Sequence, residues 1–241
     1  FCNAHAHAAK CLFRGIADDL TLEDWLYDRI FPLEKNLTPE DVYWGTLLQI
    51  AEFVKNGIVC FADMYYFQDA VYAAAEKVGL MLALCCPYYS GSGIDVVSEI
   101  EENYNLYNTV SDRVRYFPGL HAEYTCDESL LMKVADFAAE TGAKTYIHLS
   151  ETLKEVGDCT VRHHGLTPPQ YLHKLGFFDN GGLAPHCVYV DKDDIALLRQ
   201  CGVTPVINSG SNLKLASGVA PVASMLNVGL EPALGTDGTA S

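Results

Sequence analysis

The chain is poor in positive charge. Lys and Arg number 16 against 31 Asp and Glu, for a formal net charge of -15. Such a surface repels phosphate backbones and anionic membranes, so nucleic acids and lipid surfaces are not the expected partners. Long hydrophobic runs are also missing: none reaches the ~18 residues a membrane span needs. No basic segment followed by an apolar one marks a secretory leader. None of the nine cysteines stands in a Cys-x-x-Cys spacing, which argues against a thiolate zinc site. Their odd number and apolar neighbourhoods predict buried, reduced thiols, as in a cytoplasmic protein. No glycine-rich phosphate turn follows an early strand, which argues against an open dinucleotide-binding sheet. Low-complexity stretches and linkers are absent too, so residues 1–241 are expected to form one domain. An initiator Met is lacking and the chain opens in what reads as mid-strand. It is therefore expected to be a fragment of a longer protein.

What is present is apolar and regularly patterned. Hydrophobic residues make up 49% of the chain, and its mean hydropathy is +0.07. Thr38-Pro39-Glu40-Asp41 reads as a helix start, with Thr as cap, Pro in the first turn and acids beside the dipole. Val42, Leu47, Leu48, Ala51 and Val54 keep helical spacing, and Asn56-Gly57 stops it. Ile58–Ala62 then runs apolar without alternation, as a strand buried on both faces does. The unit repeats. Helices are predicted near Asp69–Val78, Asp95–Tyr107, Glu128–Glu140, Leu153–Leu175, Asp191–Gln200 and Pro221–Asn227. Strands are predicted at Leu80–Cys86, Val114–Leu120, Lys144–Leu149, Gly182–Val190, Val203–Asn208 and Glu231–Leu234. Lys10 to Leu33 reads as a long excursion with a short helix near Glu23–Arg29. With the opening stub this makes eight strands alternating with helices, the pattern of an α/β fold closed into a (β/α)8 TIM barrel.

Active residues of such barrels sit where strands end, and here those ends are rich in histidine. The first carries His5 and His7, one residue apart and so on the same side of a strand. The fourth ends at His121, the fifth at His148-Leu149-Ser150-Glu151 and the sixth at His186. The eighth ends at Gly235-Thr236-Asp237-Gly238. Each of these alone has a bland reading as a hydrogen-bonded rim residue or a turn. Together they would converge on one mouth. Imidazole and carboxylate without thiolate suit zinc or another divalent first-row ion. Glu151, three residues after His148, could shuttle a proton beside such a centre. His163, His164 and His173 fall in a helical region and are expected at the surface.

These residues carry a resemblance. The motifs are Asn3-Ala4-His5-Ala6-His7, Arg14–Leu20, Trp25-Leu26, Phe31-Pro32-Leu33-Glu34, His121–Thr125, His148–Glu151, His186-Cys187-Val188, Ser211–Leu215 and Gly235–Gly238. In that order, across the whole chain, they resemble the metal-dependent amidohydrolase superfamily. Within it, they resemble the branch of 5'-methylthioadenosine/S-adenosylhomocysteine deaminases and chlorohydrolases. The resemblance implies one divalent ion per chain, Zn2+ with Fe2+ or Mn2+ as alternatives, held by His5, His7, His148 and Asp237. It implies catalytic roles for Glu151, His186 and Asp237. It implies substrate contacts from Glu34, through ribose hydroxyls, from His121, and from Trp25, which could equally pack in the core. The implied reaction is hydrolytic deamination of an adenine nucleoside or related N-heterocycle, with ammonia as leaving group. A triazine-type chlorohydrolase and an inactive metal-binding barrel are the alternatives. A small-molecule substrate, a possible homo-oligomer and a cytoplasmic location go with this reading. The resemblance also implies that the last helix and a flanking β-sandwich are missing from this chain. Three departures stand out. Ala6 lies between the paired histidines where Thr is common. Glu123 replaces a Pro and adds charge near His121. Tyr89–Glu99 holds no arginine to grip an amino-acid tail, which favours a smaller nucleoside or base.

Overall fold

Thr38 caps its helix as its sequence predicts. Its side chain accepts the Asp41 N–H, Asp41 returns the bond to the Thr38 N–H, and the helix runs Pro39–Lys55. Asp191 caps Lys192–Cys201 in the same reciprocal way. In this computed structural model, residues 1–16 and 20–240 are described, without the Glu23 side chain. The Asp18-Asp19 part of the Arg14–Leu20 motif lies outside the described residues.

Parallel strands β1 (Cys2–Ala6), β2 (Cys60–Met64), β3 (Met81–Cys85) and β4 (Val114–Tyr116) hydrogen-bond in that order. A second parallel set follows: β5 (Gly119–Ala122), β6 (Thr145–His148), β7 (Gly182–Pro185), β8 (Val203–Ile207) and β9 (Ala233–Leu234). Two junctions close them into one barrel. At the first, Phe117 N–H donates to Leu84 O of β3 while Pro118 O accepts from Tyr146 N–H of β6. β4 and β5 are therefore one barrel strand that changes partners around Pro118, which has no N–H to offer. The single strand expected at Val114–Leu120 is divided for this reason. Gly119 is required there, since a Cβ would stand 2.3 Å from Tyr146 O. At the second junction, Thr236 and Asp237 N–H both donate to His5 O at 3.0 Å, and Ala6 bridges Asp237 in parallel. The expected eight-stranded (β/α)8 barrel is the result.

Helices cover the barrel, and the main apolar core lies between the two layers, with Phe61, Leu82, Leu120, Ile147 and Ala184 on the strand side. Inside the barrel, Ala62, Met64, Cys85 and Tyr146 form a smaller plug. A third cluster, Phe13, Trp25, Leu26, Ile30, Leu215 and Ala240, roofs part of the mouth. The excursion after β1 is more helical than expected. A 3-10 turn spans Ala8–Phe13, and Leu22–Asp24 continues through a wide π-type turn at Trp25–Ile30 into Phe31–Glu34. The helical region Leu153–Leu175 is two helices, Leu153–Arg162 and Pro168–Lys174. His164 and Gly165 break it with left-handed backbone. All nine cysteines are free, as expected, but Cys2 is exposed and Cys60, Cys126 and Cys201 are only partly buried. Among the described residues, no helix is long and apolar enough to cross a membrane.

Candidate metal centre and active site

Four buried imidazoles converge above the Tyr146 plug. The His5 ring centroid lies 4.8 Å from that of His7, 5.0 Å from His148 and 5.8 Å from His186. Each is gripped from behind through Nδ1. His7 Nδ1 bonds to Met64 O at 2.5 Å, His148 Nδ1 to His121 O at 2.7 Å, and His186 Nδ1 to Asn212 Oδ1 at 2.8 Å. His5 Nδ1 meets the Tyr146 hydroxyl at 2.6 Å, and that hydroxyl reaches Ala4 O at 3.2 Å. A carbonyl or amide oxygen can only accept, so the proton sits on Nδ1 and the Nε2 lone pair faces the centre.

Asp237 completes the set. Its Oδ1 lies 3.2 Å from His7 Nε2 and 3.5 Å from His5 Nε2. Two donors on one tetrahedral zinc, each at ~2.0–2.1 Å, stand roughly 3.4 Å apart, so the spacing fits a shared ion. The ligand atoms of His5, His7 and His148 lie within 4.8 Å of one another, as do those of His5, His186 and Asp237. His5 Nε2 is buried and has no hydrogen-bond partner among the described residues. An unsatisfied lone pair at the centre of a histidine cluster is what an ion would satisfy. The expected metal ligands are thus brought together.

Burial prepares these groups for that task. Desolvation, reinforced by the neighbouring His7, pushes His5 down to about 3, and His148 is also held well below the ordinary histidine value. Both are neutral donors at pH 7. For Asp237, burial favours the protonated acid, but the adjoining His5 and His7 rings outweigh it and hold the carboxyl well below its usual range. For His186, burial opposes protonation, yet Glu151 and Asp237 outweigh it and raise its pKa.

Glu151 stands beside the cluster with Oε2 3.6 Å from His186 Nε2. Burial raises its pKa, which suits a group that must both hold and release a proton. Ser217 donates to its Oε1 at 3.3 Å. Behind it, the Glu155 carboxylate accepts the N–H groups of Ser150 and Glu151, both at 2.8 Å. Ser150, His186, Cys187 and Asp237 all have positive φ. Left-handed backbone costs a non-glycine residue ~1–3 kcal/mol where it is strained. Of these four side chains, those of His186 and Asp237 line the small cavity. Gly235 lets β9 approach closely enough, since a Cβ there would stand 2.3 Å from Asn208 Oδ1 and 2.9 Å from His5 Cβ.

Glu34, His121 and Trp25 line the same small cavity, of about 40 Å³, as His7, His148 and Asp237. Glu34 accepts from the Tyr65 hydroxyl at 2.8 Å and lies 3.7 Å from Lys10 Nζ. His121 Nδ1 pairs with Thr125 Oγ1 at 3.1 Å, and burial holds its pKa down at about 3. Trp25 is both wall and core: its indole N–H donates to Ala240 O at 3.0 Å within the roof cluster. Glu123 departs from expectation. Its buried carboxylate binds Arg162 Nη2 at 2.5 Å and His163 Nε2 at 2.8 Å, and it lines neither the small cavity nor the larger one beside it. His163 is accordingly half-buried: its ring also stacks on Tyr171 at 3.4 Å. His173 is half-buried and pairs with the Cys201 thiol, while His164 is exposed as expected.

Sequence reasoning missed Lys10, Tyr146, Asn212, Glu155 and Ser217. Asn212 lay in a quoted motif, but nothing in the spacing of the others announced a partner.

The amidohydrolase family model matches residues 1–241. The chain belongs to the amidohydrolase family. It is 43% identical over 244 residues to a 5-methylthioadenosine/S-adenosylhomocysteine deaminase of Thermoanaerobacter pseudethanolicus, covering 99% of this chain and 56% of that protein. A deaminase of the same name from Dictyoglomus thermophilum is 43% identical over 242 residues, covering 99% and 57%. This amidohydrolase barrel thus spans a little over half the length of those relatives. Among solved structures, it superposes on a zinc-bound adenosine deaminase from Xanthomonas campestris with a TM-score of 0.93 at 30% identity, covering 100% of this chain and 56% of that one. A zinc-bound atrazine chlorohydrolase from Arthrobacter aurescens shares the fold, with a TM-score of 0.89 at 20% identity over 100% of this chain and 60% of that one.

Proposed function

We propose that this amidohydrolase barrel hydrolytically deaminates an adenine-type nucleoside, using one divalent ion, zinc by preference. The observation that carries the reading is the convergence of four donors, His5, His7, His148 and Asp237, beside a raised-pKa Glu151 and His186. Deaminases at 43% identity and a zinc-bound adenosine deaminase of the same fold support it.

The ion, when bound, supplies Lewis acidity and lowers the pKa of a water toward neutrality. The protein's own groups do the rest. Asp237 accepts a proton from the water that attacks the amino-bearing ring carbon. His186, its tautomer held by Asn212, steadies the oxygen that becomes negative as the carbon turns tetrahedral. Glu151 delivers a proton to the adjacent ring nitrogen; the amino group then takes the proton held by Asp237 and departs as ammonia, while the carbinol hydroxyl returns its proton to Glu151 as the ring carbonyl forms. His121 and Glu34 hold the nucleoside at the cavity wall. The chlorohydrolase reading has no observation of its own, since a likeness at 20% identity speaks for the fold alone.

The test is ammonia release from a panel of purine and pyrimidine nucleosides and bases by the zinc-loaded protein. Adenine nucleosides are expected to react. A panel that yields no ammonia, or chloride release from a chloro-triazine alone, overturns the reading.

A further inference from the structure

Glu123 turns away from the mouth and into a second gathering of ligand types. It opens the 3-10 turn Glu123–Thr125 that follows β5, and it is 2% exposed. Opposite it stands the end of the helix Leu153–Arg162, with Cys159 in the last turn and His163 at the cap. Residues four apart share a helix face, so thiol and imidazole arrive together. The ligand atoms of Glu123, Cys159 and His163 all lie within 4.8 Å of one another. Among the described residues, this is the one such group outside the mouth.

Each donor is held in place. The Tyr171 ring stacks on that of His163, with centroids 3.4 Å apart and planes 12° apart. Arg162 Nη2 takes Glu123 Oε2 at 2.5 Å. His163 Nε2 lies 2.8 Å from the other oxygen, Oε1. Cys159 is fully buried, with Sγ 3.6 Å from Leu166 O. Arg162 alone would neutralise Glu123, and a simple ion pair needs no thiol beside it. Thiolate, imidazole and carboxylate together are a zinc-type donor set with a fourth position left for water. Donors on one tetrahedral zinc, one of them sulfur, stand ~3.4–3.6 Å apart, so these three close on an ion with shifts of about an ångström. The His163 side chain is 20% exposed and gives the ion a way in. Arg162 then steadies the carboxylate from behind, as outer partners of metal ligands do.

We propose that Glu123, Cys159 and His163 form a second metal site, for one thiophilic divalent ion such as zinc, that braces the end of β5 against the helix following Glu151. The site stands apart from the deaminase reading, since none of its three ligands lines either cavity. Binding releases the Cys159 thiol proton to solvent and moves the His163 ring proton from Nε2 to Nδ1, so that both lone pairs face the ion. Burial pushes the free thiol's pKa up, and the nearby Glu123 adds to it. The ion must therefore bind thiolate strongly enough to displace that proton. Zinc, cobalt and cadmium do so; magnesium and calcium, which prefer oxygen, do not. For the same reason this site fills after the mouth, where four donors stand ready with no thiol to deprotonate.

The probe is cobalt(II), added stepwise to the metal-free full chain. The ligand set at the mouth has no sulfur, so thiolate-to-cobalt charge transfer in the near ultraviolet reports the second site alone. The absorption is expected to grow with the second equivalent. Cys159→Ser should abolish it while the first equivalent still binds. His163→Gln, at a half-buried position, should weaken the second step about tenfold or more, at least what loss of an outer partner costs. A second equivalent of zinc should raise the melting temperature of the parent but not of His163→Gln. No charge-transfer absorption through several equivalents, or absorption that survives Cys159→Ser, overturns the proposal and leaves Glu123 in a metal-free ion pair. Where Cys159→Ser does not fold, His163→Gln decides: an unchanged second step, or an equal rise in melting temperature, overturns it as well. None of these readouts needs turnover. Absence of ammonia thus counts against the deaminase reading alone, and absence of the absorption against the second site alone.

Discussion

The carboxylate of Glu155 accepts the backbone N–H of Glu151 at 2.8 Å, and with its other oxygen that of Ser150. One buried acid thus fixes the strand end that presents another. Burial raises Glu155 to about 7, so both carboxyls are easily protonated and the pair avoids two adjacent buried charges. Glu155→Ala would leave two buried N–H groups unsatisfied, at ~1–3 kcal/mol each. We expect a lower melting temperature and a kcat reduced about 10- to 100-fold with little change in metal content. Glu155→Gln, which keeps one acceptor, should recover part of both. Unchanged kcat in the Ala variant would make Glu155 a purely structural residue.

Glu151→Gln should bind metal normally and lose about 10²–10⁴ in kcat, the usual worth of a positioned acid–base group. Metal content by atomic absorption and steady-state rates check this together. Near-normal turnover would remove Glu151 from the proton transfers.

Chelation should destabilise the protein. An ion present at 10²–10³ times its Kd contributes about 3–4 kcal/mol to the folded state, read as a drop in melting temperature that zinc restores and magnesium does not. Asp237→Asn weakens the site from the carboxylate side and should lose most of this metal-dependent shift. An identical shift in that variant would take Asp237 out of the ligand set.

Asp63 provides a pH test. It is fully buried, accepts the Ala8 N–H at 2.6 Å, and burial pushes its carboxyl from 3.8 up to about 7. The folded state therefore keeps this proton between pH 3.8 and 7, where the unfolded chain has released it. The contribution to stability is full below pH 3.8 and is lost as pH rises through 7. Asp63→Asn keeps an acceptor and removes the charge. Its stability relative to the parent should rise between pH 4 and 7 and level off above that, by on the order of 2–4 kcal/mol in all. Urea midpoints across that range give the answer, and a pH-independent difference would contradict it.

The convergence of the site's side chains was legible locally. His5 and His7 share a side because alternate strand residues do, and their ring centroids stand 4.8 Å apart. His148, His186 and Asp237 were placed at strand ends by the helix caps and glycine stops on either side, and those signals act within a few residues. The expectation that Glu123 would charge the substrate pocket had the same local basis and failed. Its direction is decided by Arg162 and His163, about forty residues away on another element. Lys10 read as the start of a polar excursion, yet it lies buried with Nζ 5.2 Å from the Trp25 ring centroid and 3.7 Å from Glu34.

By itself, then, the sequence determined the alternating strands and helices, the caps, and the histidines and carboxylates at the barrel mouth. All of these follow from backbone geometry and side-chain chemistry over one or two turns of chain. Only the tertiary structure decided the partner change at Pro118, the closure of β9 on His5, the partners behind each imidazole, and the direction of Glu123. Those depend on which distant groups meet when the barrel closes. A buried polar group must be satisfied by whatever the fold brings to it, and no periodicity in the chain records that meeting.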